Sequence, residues 1–213
     1  MEIDRLQFAK RHSNISGAMY RGAHSCSTLT RFFVLLGTIL ALTLPSLAFG
    51  QKAEHLDGTP ADPFALSAGK PVVLLFLRTD CPISNRYAPV IKKMSARYHG
   101  KVAFWLVYPN RKIDADKIRE YQREYGYDLP PLRDPQHALV AQARAQVTPE
   151  AAVFDGSGRL LYHGRIDDLY QDFGRARTVA TTHELDDAIQ AVLNGKKPPV
   201  SAPAVGCYIA DME

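Results

Sequence analysis

A short apolar run, from Val72 to Leu77, is the feature that most restricts how this chain can fold. The run is uncharged, continuous and rich in β-branched side chains, which predicts a strand buried on both faces of a parallel or mixed sheet. Cys81 and Pro82 follow shortly after it, and the apolar residues beyond Pro82 recur at helical spacing as far as Tyr98. The sequence therefore places a thiol between a buried strand and the first turn of a helix, where Pro82 costs no hydrogen bond.

Cys81 is a candidate nucleophile at this position. Free N–H groups and the positive end of the helix dipole favour a thiolate over a thiol there. Arg78 and Arg86 act in the same direction, and Asp80 opposes them. The alternative is a small buried hydrophobic residue, as most isolated cysteines are. We favour the nucleophile because a strand-to-helix turn with the pattern Cys-Pro-x-Ser is too particular for packing alone.

The N-terminal residues 1–50 have the order of a secretory signal peptide. Basic residues precede an uncharged apolar core over residues 32–44, and the small residues Ala48 and Gly50 fit cleavage before Gln51. The alternative is an uncleaved membrane anchor, because the apolar core can be extended towards a spanning length. We expect export to the periplasm or the extracellular space, with a membrane contact only if this segment stays uncleaved.

Charge and cysteine content narrow the function further. The net charge falls from +4 to +1 without residues 1–50, because five of the 26 basic and two of the 22 acidic residues lie there. A near-neutral chain has no electrostatic footprint for nucleic acid, so we expect no nucleic-acid partner. Cys26 would leave with the signal peptide, and the remaining pair, Cys81 and Cys207, permits one intrachain disulfide.

The rest of the chain alternates strand and helix signals. A second buried strand is predicted over Val102–Tyr108, followed by a helix from Asp114 to a stop at Gly126. Strand, helix, strand, helix in this order predicts parallel strands joined by right-handed crossovers. Asp134 and Pro135 then predict the N-cap and first residue of a helix that runs to about Gln146.

The last third of the chain predicts an antiparallel hairpin and a final helix. Residues 152–155 and 159–163 flank a Gly-Ser-Gly turn. Thr181 and Glu184 form a capping box that opens an amphipathic helix ended by Gly195. We therefore predict an α/β fold, a central mixed sheet with helices on both faces, over residues 51–195. A Pro-rich C-terminal tail over residues 196–213 carries Cys207.

This order of elements resembles the thioredoxin fold. Pro89, eight residues after Cys81, matches the proline that kinks the active-site helix of thioredoxins. Thr148 and Pro149 match the cis-proline turn opposite the reactive sulfur. The resemblance implies that Thr148, Pro149 and Pro82 contact an incoming substrate, with the Thr148–Pro149 backbone pairing with the substrate chain.

Several segments look more closely like the redoxin branch, with alkyl hydroperoxide reductase and thiol-specific antioxidant proteins. The resemblance covers residues 51–195. It implies an exported thiol oxidoreductase of antioxidant type, with no cofactor, that acts on a protein disulfide or a hydroperoxide. The segments that carry it are Leu56-Asp-Gly58, Asp62-Pro63-Phe64, Thr79-Asp-Cys81-Pro-Ile-Ser84, Thr148-Pro-Glu-Ala-Ala-Val-Phe-Asp155 and Tyr162-x-Gly-x-Ile-Asp167.

Two departures from these families shape the expected chemistry. Ser84 stands where thioredoxins have a second cysteine, so its hydroxyl could donate a hydrogen bond to a Cys81 thiolate but could not form a disulfide. Thr79 is one residue away from the position of the peroxide-orienting threonine of peroxiredoxins, which Arg78 occupies instead. Cys207 then becomes the candidate resolving thiol. The candidate catalytic residues are Cys81, Cys207, Ser84 and Thr79.

Exchange would run by attack of Cys81 on a substrate disulfide and resolution by Cys207, with electrons from an unidentified thiol or electron-donor protein. A structural disulfide that only pins the tail is the alternative role of Cys207. A different class remains open. It is a redox-inactive binding module with a structural Cys81–Cys207 disulfide, or a copper-binding module in which the two cysteines and one histidine hold the ion. No two histidines after residue 50 are spaced as on one helix face, so we expect no helix-borne metal site.

Overall fold

The structure is a computed structural model that describes residues 53–209. The predicted signal peptide over residues 1–50 lies outside the described residues and stays a prediction. None of the helices between residues 53 and 209 is long and apolar enough to cross a membrane. The elements in chain order are β1 (Ala53–Glu54), β2 (Pro60–Ala61), α1 (Pro63–Leu66), β3 (Val72–Phe76), α2 (Pro82–Arg86), α3 (Ala88–Arg97), β4 (Ala103–Tyr108), α4 (Ala115–Tyr125), β5 (Pro131–Arg133), α5 (Ala138–Ala143), β6 (Val147–Thr148), β7 (Glu150–Phe154), β8 (Leu160–Gly164), β9 (Tyr170–Asp172), β10 (Arg175–Ala176), α6 (Glu184–Leu193) and β11 (Cys207–Tyr208).

Seven strands form the central sheet in the order β2-β1-β5-β4-β3-β7-β8. β3 is parallel to β4 and antiparallel to β7, and β4 is parallel to β5. β7 and β8 form the predicted hairpin. All five residues of β3 are buried, which confirms the strand predicted from the apolar run. The sheet is therefore mixed, and β3 lies between its parallel and antiparallel halves.

The residues of β3 alternate between two core clusters, as the two-residue repeat of a strand requires. Val73 and Leu75 face a cluster that includes side chains of α3, α4 and α6. Leu74 and Phe76 face a second cluster, to which α5 contributes. Helices therefore cover both faces of the sheet, as predicted.

Local signals placed the helices next to β3 and β4 correctly. The Asp114 side chain accepts a hydrogen bond from Asp116 N, and α4 ends at Gly126, whose φ of 64° suits glycine. The helix after Cys81 is broken at Tyr87 into α2 and α3. Pro89 explains the break, because proline lacks an N–H and its ring clashes with the preceding turn of a helix.

The predicted helix from Asp134 to about Gln146 is wrong in both bounds. α5 covers only Ala138–Ala143, and His137, with a φ of 58°, separates it from Asp134. The Asp134 carboxylate still accepts hydrogen bonds from Ala138 N at 2.8 Å and Val140 N at 2.9 Å. Asp134 therefore caps the helix from outside it.

The short strand β5 was not predicted, because its surroundings are rich in proline. Pro131 is its first residue, a strand position that tolerates proline. β5 adds a third parallel strand to the sheet through its pairing with β4.

The predicted capping box of the last helix is also wrong. α6 begins at Glu184, but Thr181 N and Thr181 Oγ1 both donate to the buried carboxylate of Asp168, at 2.5 Å each. Glu184 instead pairs with Arg165. The buried Asp168 carboxylate thus binds the Thr181 N–H and hydroxyl groups, so Thr181 does not form the predicted N-cap. The stop at Gly195 is confirmed by its φ of 65°.

This is a thioredoxin-like fold. Its elements are two parallel crossovers, a following helix, an antiparallel hairpin and a final helix. The limits of the domain at residues 51 and 195 stay a prediction.

Candidate active site

Cys81 lies at the carboxyl end of β3, and Pro82 follows it as the first residue of α2. The Cys81 side chain is completely buried. It makes no capping hydrogen bond with the helix N–H groups. Its Sγ lies instead 3.5 Å from Thr148 O and 3.1 Å from Cys207 Sγ. The sulfur therefore faces the turn before β7 and the C-terminal tail.

The turn opposite Cys81 contains a cis peptide bond between Thr148 and Pro149, as the thioredoxin resemblance implied. β7 pairs with β3 so that Glu150 lies opposite Phe76, at the end of β3. This register brings the turn to the same edge of the sheet as Cys81. The thiol and the predicted substrate-contacting backbone are thus adjacent.

The C-terminal tail reaches the same place, 126 residues further along the chain. β11 pairs antiparallel with β6, with Cys207 opposite Thr148 and Tyr208 opposite Val147. Thr148 Oγ1 also donates to Cys207 O at 3.4 Å. The tail, for which no regular structure was predicted, therefore contains a strand that holds Cys207 against Cys81.

The surroundings of Cys207 disfavour its thiolate form. Burial raises the pKa of the Cys207 thiol to about 11, and its hydrogen bond to Cys81 Sγ acts in the same direction. The Arg78 guanidinium opposes this effect weakly, because it forms an ion pair with Asp80 at 2.5 Å. Cys207 therefore keeps its proton at neutral pH and donates it in a hydrogen bond to Cys81 Sγ.

The other predicted catalytic residues are close to Cys81 in sequence but do not contact its sulfur. Ser84 Oγ is buried and accepts a hydrogen bond from Arg78 N at 3.4 Å. Within residues 53–209 neither Ser84 nor Thr79 makes a hydrogen bond to Cys81 or Cys207. Pro82 is exposed beside the thiol. The structure thus brings together Cys81, Cys207 and the Thr148–Pro149 turn.

Glu150 is a buried residue that the sequence analysis did not single out as part of the site. Its Oε2 accepts hydrogen bonds from Gln146 N at 2.8 Å and Val147 N at 3.2 Å. Its Oε1 lies 3.4 Å from His163 Nδ1. Glu150 therefore holds the segment before the cis peptide bond in place. The signal in the sequence that could have identified Glu150 is an acidic residue directly after Thr148 and Pro149.

Arg78 and the acids after β8 complete the surroundings of the site. Arg78 forms an ion pair with Asp80 at 2.5 Å. Asp167 and Asp168 are both almost fully buried. Asp167 accepts a hydrogen bond from the hydroxyl of Tyr87, in the break between α2 and α3, at 2.7 Å. Asp167 therefore supports the active-site helix, whereas Asp168 accepts hydrogen bonds from Thr181 and Thr182.

The described part of the chain offers no third ligand for a metal ion at the cysteine pair. Within it, no three His, Cys, Asp or Glu side chains form a group that could hold a metal.

No protein-family model matches the sequence, and no curated protein matches it. Two solved structures are similar over most of the chain. A hypothetical protein from Sinorhizobium meliloti is 22% identical, with a TM-score of 0.63 over 78% of this chain and 95% of its own. An uncharacterized conserved protein from Geobacillus kaustophilus is 20% identical, with a TM-score of 0.63 over 78% of this chain and 93% of its own.

A thioredoxin-like protein from Aeropyrum pernix is 15% identical, with a TM-score of 0.47 over 64% of this chain and 91% of its own. At these identities the first two similarities show the fold alone. The topology and the site define a thioredoxin-like α/β protein with a cysteine pair at the carboxyl end of its central strand.

Proposed function

We propose that this chain is an exported thiol oxidoreductase of the redoxin type, in which Cys81 is the nucleophile and Cys207 the resolving thiol. The distance of 3.1 Å between the two sulfurs is the observation that carries the proposal. A disulfide between them needs only a movement of about 1 Å, since S–S bonds are about 2.05 Å long. Export is proposed from the residues 1–50 described above.

Thiol–disulfide exchange is the reaction that the geometry supports best. The Cys81 thiolate attacks one sulfur of a substrate disulfide, forms a mixed disulfide and releases the other sulfur as a thiolate. Deprotonated Cys207 then attacks Cys81 Sγ, releases the second substrate thiolate and forms the Cys81–Cys207 disulfide. A donor dithiol, from a small molecule or a protein, reduces this disulfide and is itself oxidised. The strand edge of β6 beside Cys81 favours a polypeptide disulfide as substrate.

The test uses the full chain with Cys26→Ser, so that only the two site cysteines remain. We expect the reduced protein to consume one equivalent of oxidised glutathione. Cys81→Ser should lower the rate by a factor of about 1,000 or more, as loss of a nucleophile does. Ser157→Ala is the matched control, because Ser157 is an exposed serine in the turn between β7 and β8, and it should change the rate by less than about tenfold.

Hydrogen peroxide distinguishes the alternative reaction. A peroxidase would consume it at a rate that depends on Cys81, and the Cys207→Ser variant would accumulate a sulfenic acid. Reaction with peroxide and not with oxidised glutathione would replace disulfide exchange by hydroperoxide reduction. Tight Cu(I) binding that is abolished by either cysteine substitution, without reaction with either oxidant, would support the copper-binding module instead.

A further inference from the structure

The C-terminal tail occupies the strand edge beside Cys81. β11 adds to β6 by main-chain pairing, and Ile209 N donates to Gln146 O at 2.9 Å, which continues the ladder by one residue. Addition of an extended segment to a free strand edge is a general mode of peptide recognition. The segment that lies there in this structure belongs to the same chain.

Contacts on both sides of β11 hold the tail in this position. Ser201 donates a hydrogen bond to His163 O, and Arg165 N donates to Ala202 O at 3.1 Å, so the tail first follows β8. At the other end, Ile209 is only 3% exposed and packs into the cluster that contains Leu74. Tyr208 between them is 61% exposed. The tail is therefore anchored by specific contacts and not merely close to the domain.

Gly206 makes the closest approach to the turn. A Cβ atom at this residue would lie 2.1 Å from Thr148 O and 2.6 Å from Thr148 C. Both are backbone atoms of the turn that faces Cys81, so they cannot move aside as a flexible side chain would. Any chain that takes the place of β11 in this register needs glycine directly before its cysteine.

We propose that the edge of β6 is a binding site for an extended polypeptide in which glycine precedes the reactive cysteine, and that the C-terminal tail is its resident occupant. The inference rests on the proposed function, since it assigns a substrate class to Cys81. Cys81 is completely buried while β11 is in place. A substrate chain therefore competes with the tail for the same edge.

The exchange step with such a substrate balances without a further reactant. The Cys81 thiolate attacks the sulfur of the peptide cysteine, and a Cys81–peptide disulfide forms. The peptide's original disulfide bond breaks, and its other sulfur leaves as a thiolate. If that leaving group is 2-nitro-5-thiobenzoate, its yellow colour reports each event.

The test uses the full chain with Cys26→Ser and Cys207→Ser, so that Cys81 is the only thiol. Two probe peptides, Ala-Val-Gly-Cys-Tyr-Ile and Ala-Val-Ala-Cys-Tyr-Ile, each carry 2-nitro-5-thiobenzoate on the cysteine. We expect the glycine peptide to react at least about tenfold faster, because an added methyl group against rigid backbone is poorly accommodated. Equal rates would overturn the inference.

Variants of the tail test whether it is the occupant. Ile209→Ala should release the tail and raise the rate with the glycine peptide by about tenfold, whereas Tyr208→Ala, on the exposed neighbour, should leave it unchanged. Gly206→Ala should also release the tail, because its methyl group would clash with the backbone of Thr148. If Ile209→Ala melts at a lower temperature than the protein without this substitution, Gly206→Ala is used in its place. No increase in a folded tail variant would overturn the inference.

The small reagent 5,5′-dithiobis(2-nitrobenzoate), which needs no peptide-binding site, shows whether a negative result concerns this inference alone or the proposed function as well. If the reagent modifies Cys81 but the two peptides react alike, only the glycine-dependent site is wrong. If it modifies Cys81 in none of the variants, the proposed function is wrong and the inference falls with it.

Discussion

The two cysteines of the site are held by very different parts of the molecule. Cys81 follows β3, whose five side chains are all buried between two core clusters. Cys207 lies on a two-residue strand in the tail, which has no other strand or α-helix between residues 196 and 209. Under the proposed function, the core would fix the nucleophile, while the resolving thiol would move without unfolding of the domain.

Removal of a core side chain next to the nucleophile should have the largest effect on stability. Leu75→Ala takes a fully buried residue from the middle of β3, and we expect the free energy of unfolding to fall by about 3 kcal/mol. Leu66→Ala is the matched control, because Leu66 is 56% exposed, and it should change little. Urea unfolding of both variants measures the difference. Equal effects would show that β3 is not the rigid support described above.

Removal of the buried Asp168 carboxylate, which supports the loop before α6, should have the second largest effect on stability. Asp168→Asn loses charge-assisted hydrogen bonds to Thr181 and Thr182, at a cost of about 2 kcal/mol. Asp128, an exposed acid, provides the control Asp128→Asn.

Asp168 also predicts a pH dependence of stability. The hydrogen bond from Thr181 holds the pKa of the Asp168 carboxyl well below its usual range. A carboxyl with a lowered pKa stabilises the fold above its unfolded pKa, about 3.9, and this stabilisation is lost as the pH falls further. The stability gap between wild type and Asp168→Asn should therefore narrow below about pH 4. A gap that stays constant down to pH 2 would contradict this.

The resolving thiol should show its own pH dependence. Because the pKa of Cys207 is raised to about 11, its thiolate fraction increases with pH throughout the neutral range. The decay rate of the mixed disulfide at Cys81 should rise with pH from pH 7 to 10, because resolution needs the Cys207 thiolate. Stopped-flow measurement of this step checks the prediction, and a rate independent of pH would contradict the assignment of Cys207.

The smallest effect on global stability is expected in the tail. Ile209→Ala removes a buried side chain, but from a segment that can detach by itself, so we expect the free energy of unfolding to fall by less than about 1 kcal/mol. Urea unfolding of Ile209→Ala and Leu75→Ala under the same conditions compares the two losses of unfolding free energy. A loss as large as that of Leu75→Ala would mean that tail and core unfold together.

The same contrast explains what could be predicted from the sequence. β3, β4, the β7–β8 hairpin and α4 each carry local signals, namely buried apolar runs, a glycine turn, the Asp114 cap and the Gly126 stop. The start of α6 was misjudged because Asp168, 13 residues away, binds Thr181 in place of a local cap. The bounds of α5 were misjudged for a related reason, since Asp134 caps it from a distance.

The candidate site was predicted in part. The positions of Cys81 and of the Thr148–Pro149 turn followed from the strand-to-helix pattern and the thioredoxin resemblance. The strand at Cys207 had no local signal, because two residues without periodicity become a strand only by pairing with Val147 and Thr148. Ser84 Oγ accepts a hydrogen bond from Arg78 N, and the role suggested for its hydroxyl beside a Cys81 thiolate stays a prediction.

The central claim is that Cys81 attacks and Cys207 resolves. Its most direct test is mass spectrometry of the full chain with Cys26→Ser after reaction with oxidised glutathione. We predict a Cys81–Cys207 disulfide without bound glutathione, and in Cys207→Ser one glutathione attached to Cys81. Glutathione attached to Cys207 with Cys81 left as a free thiol would contradict the account.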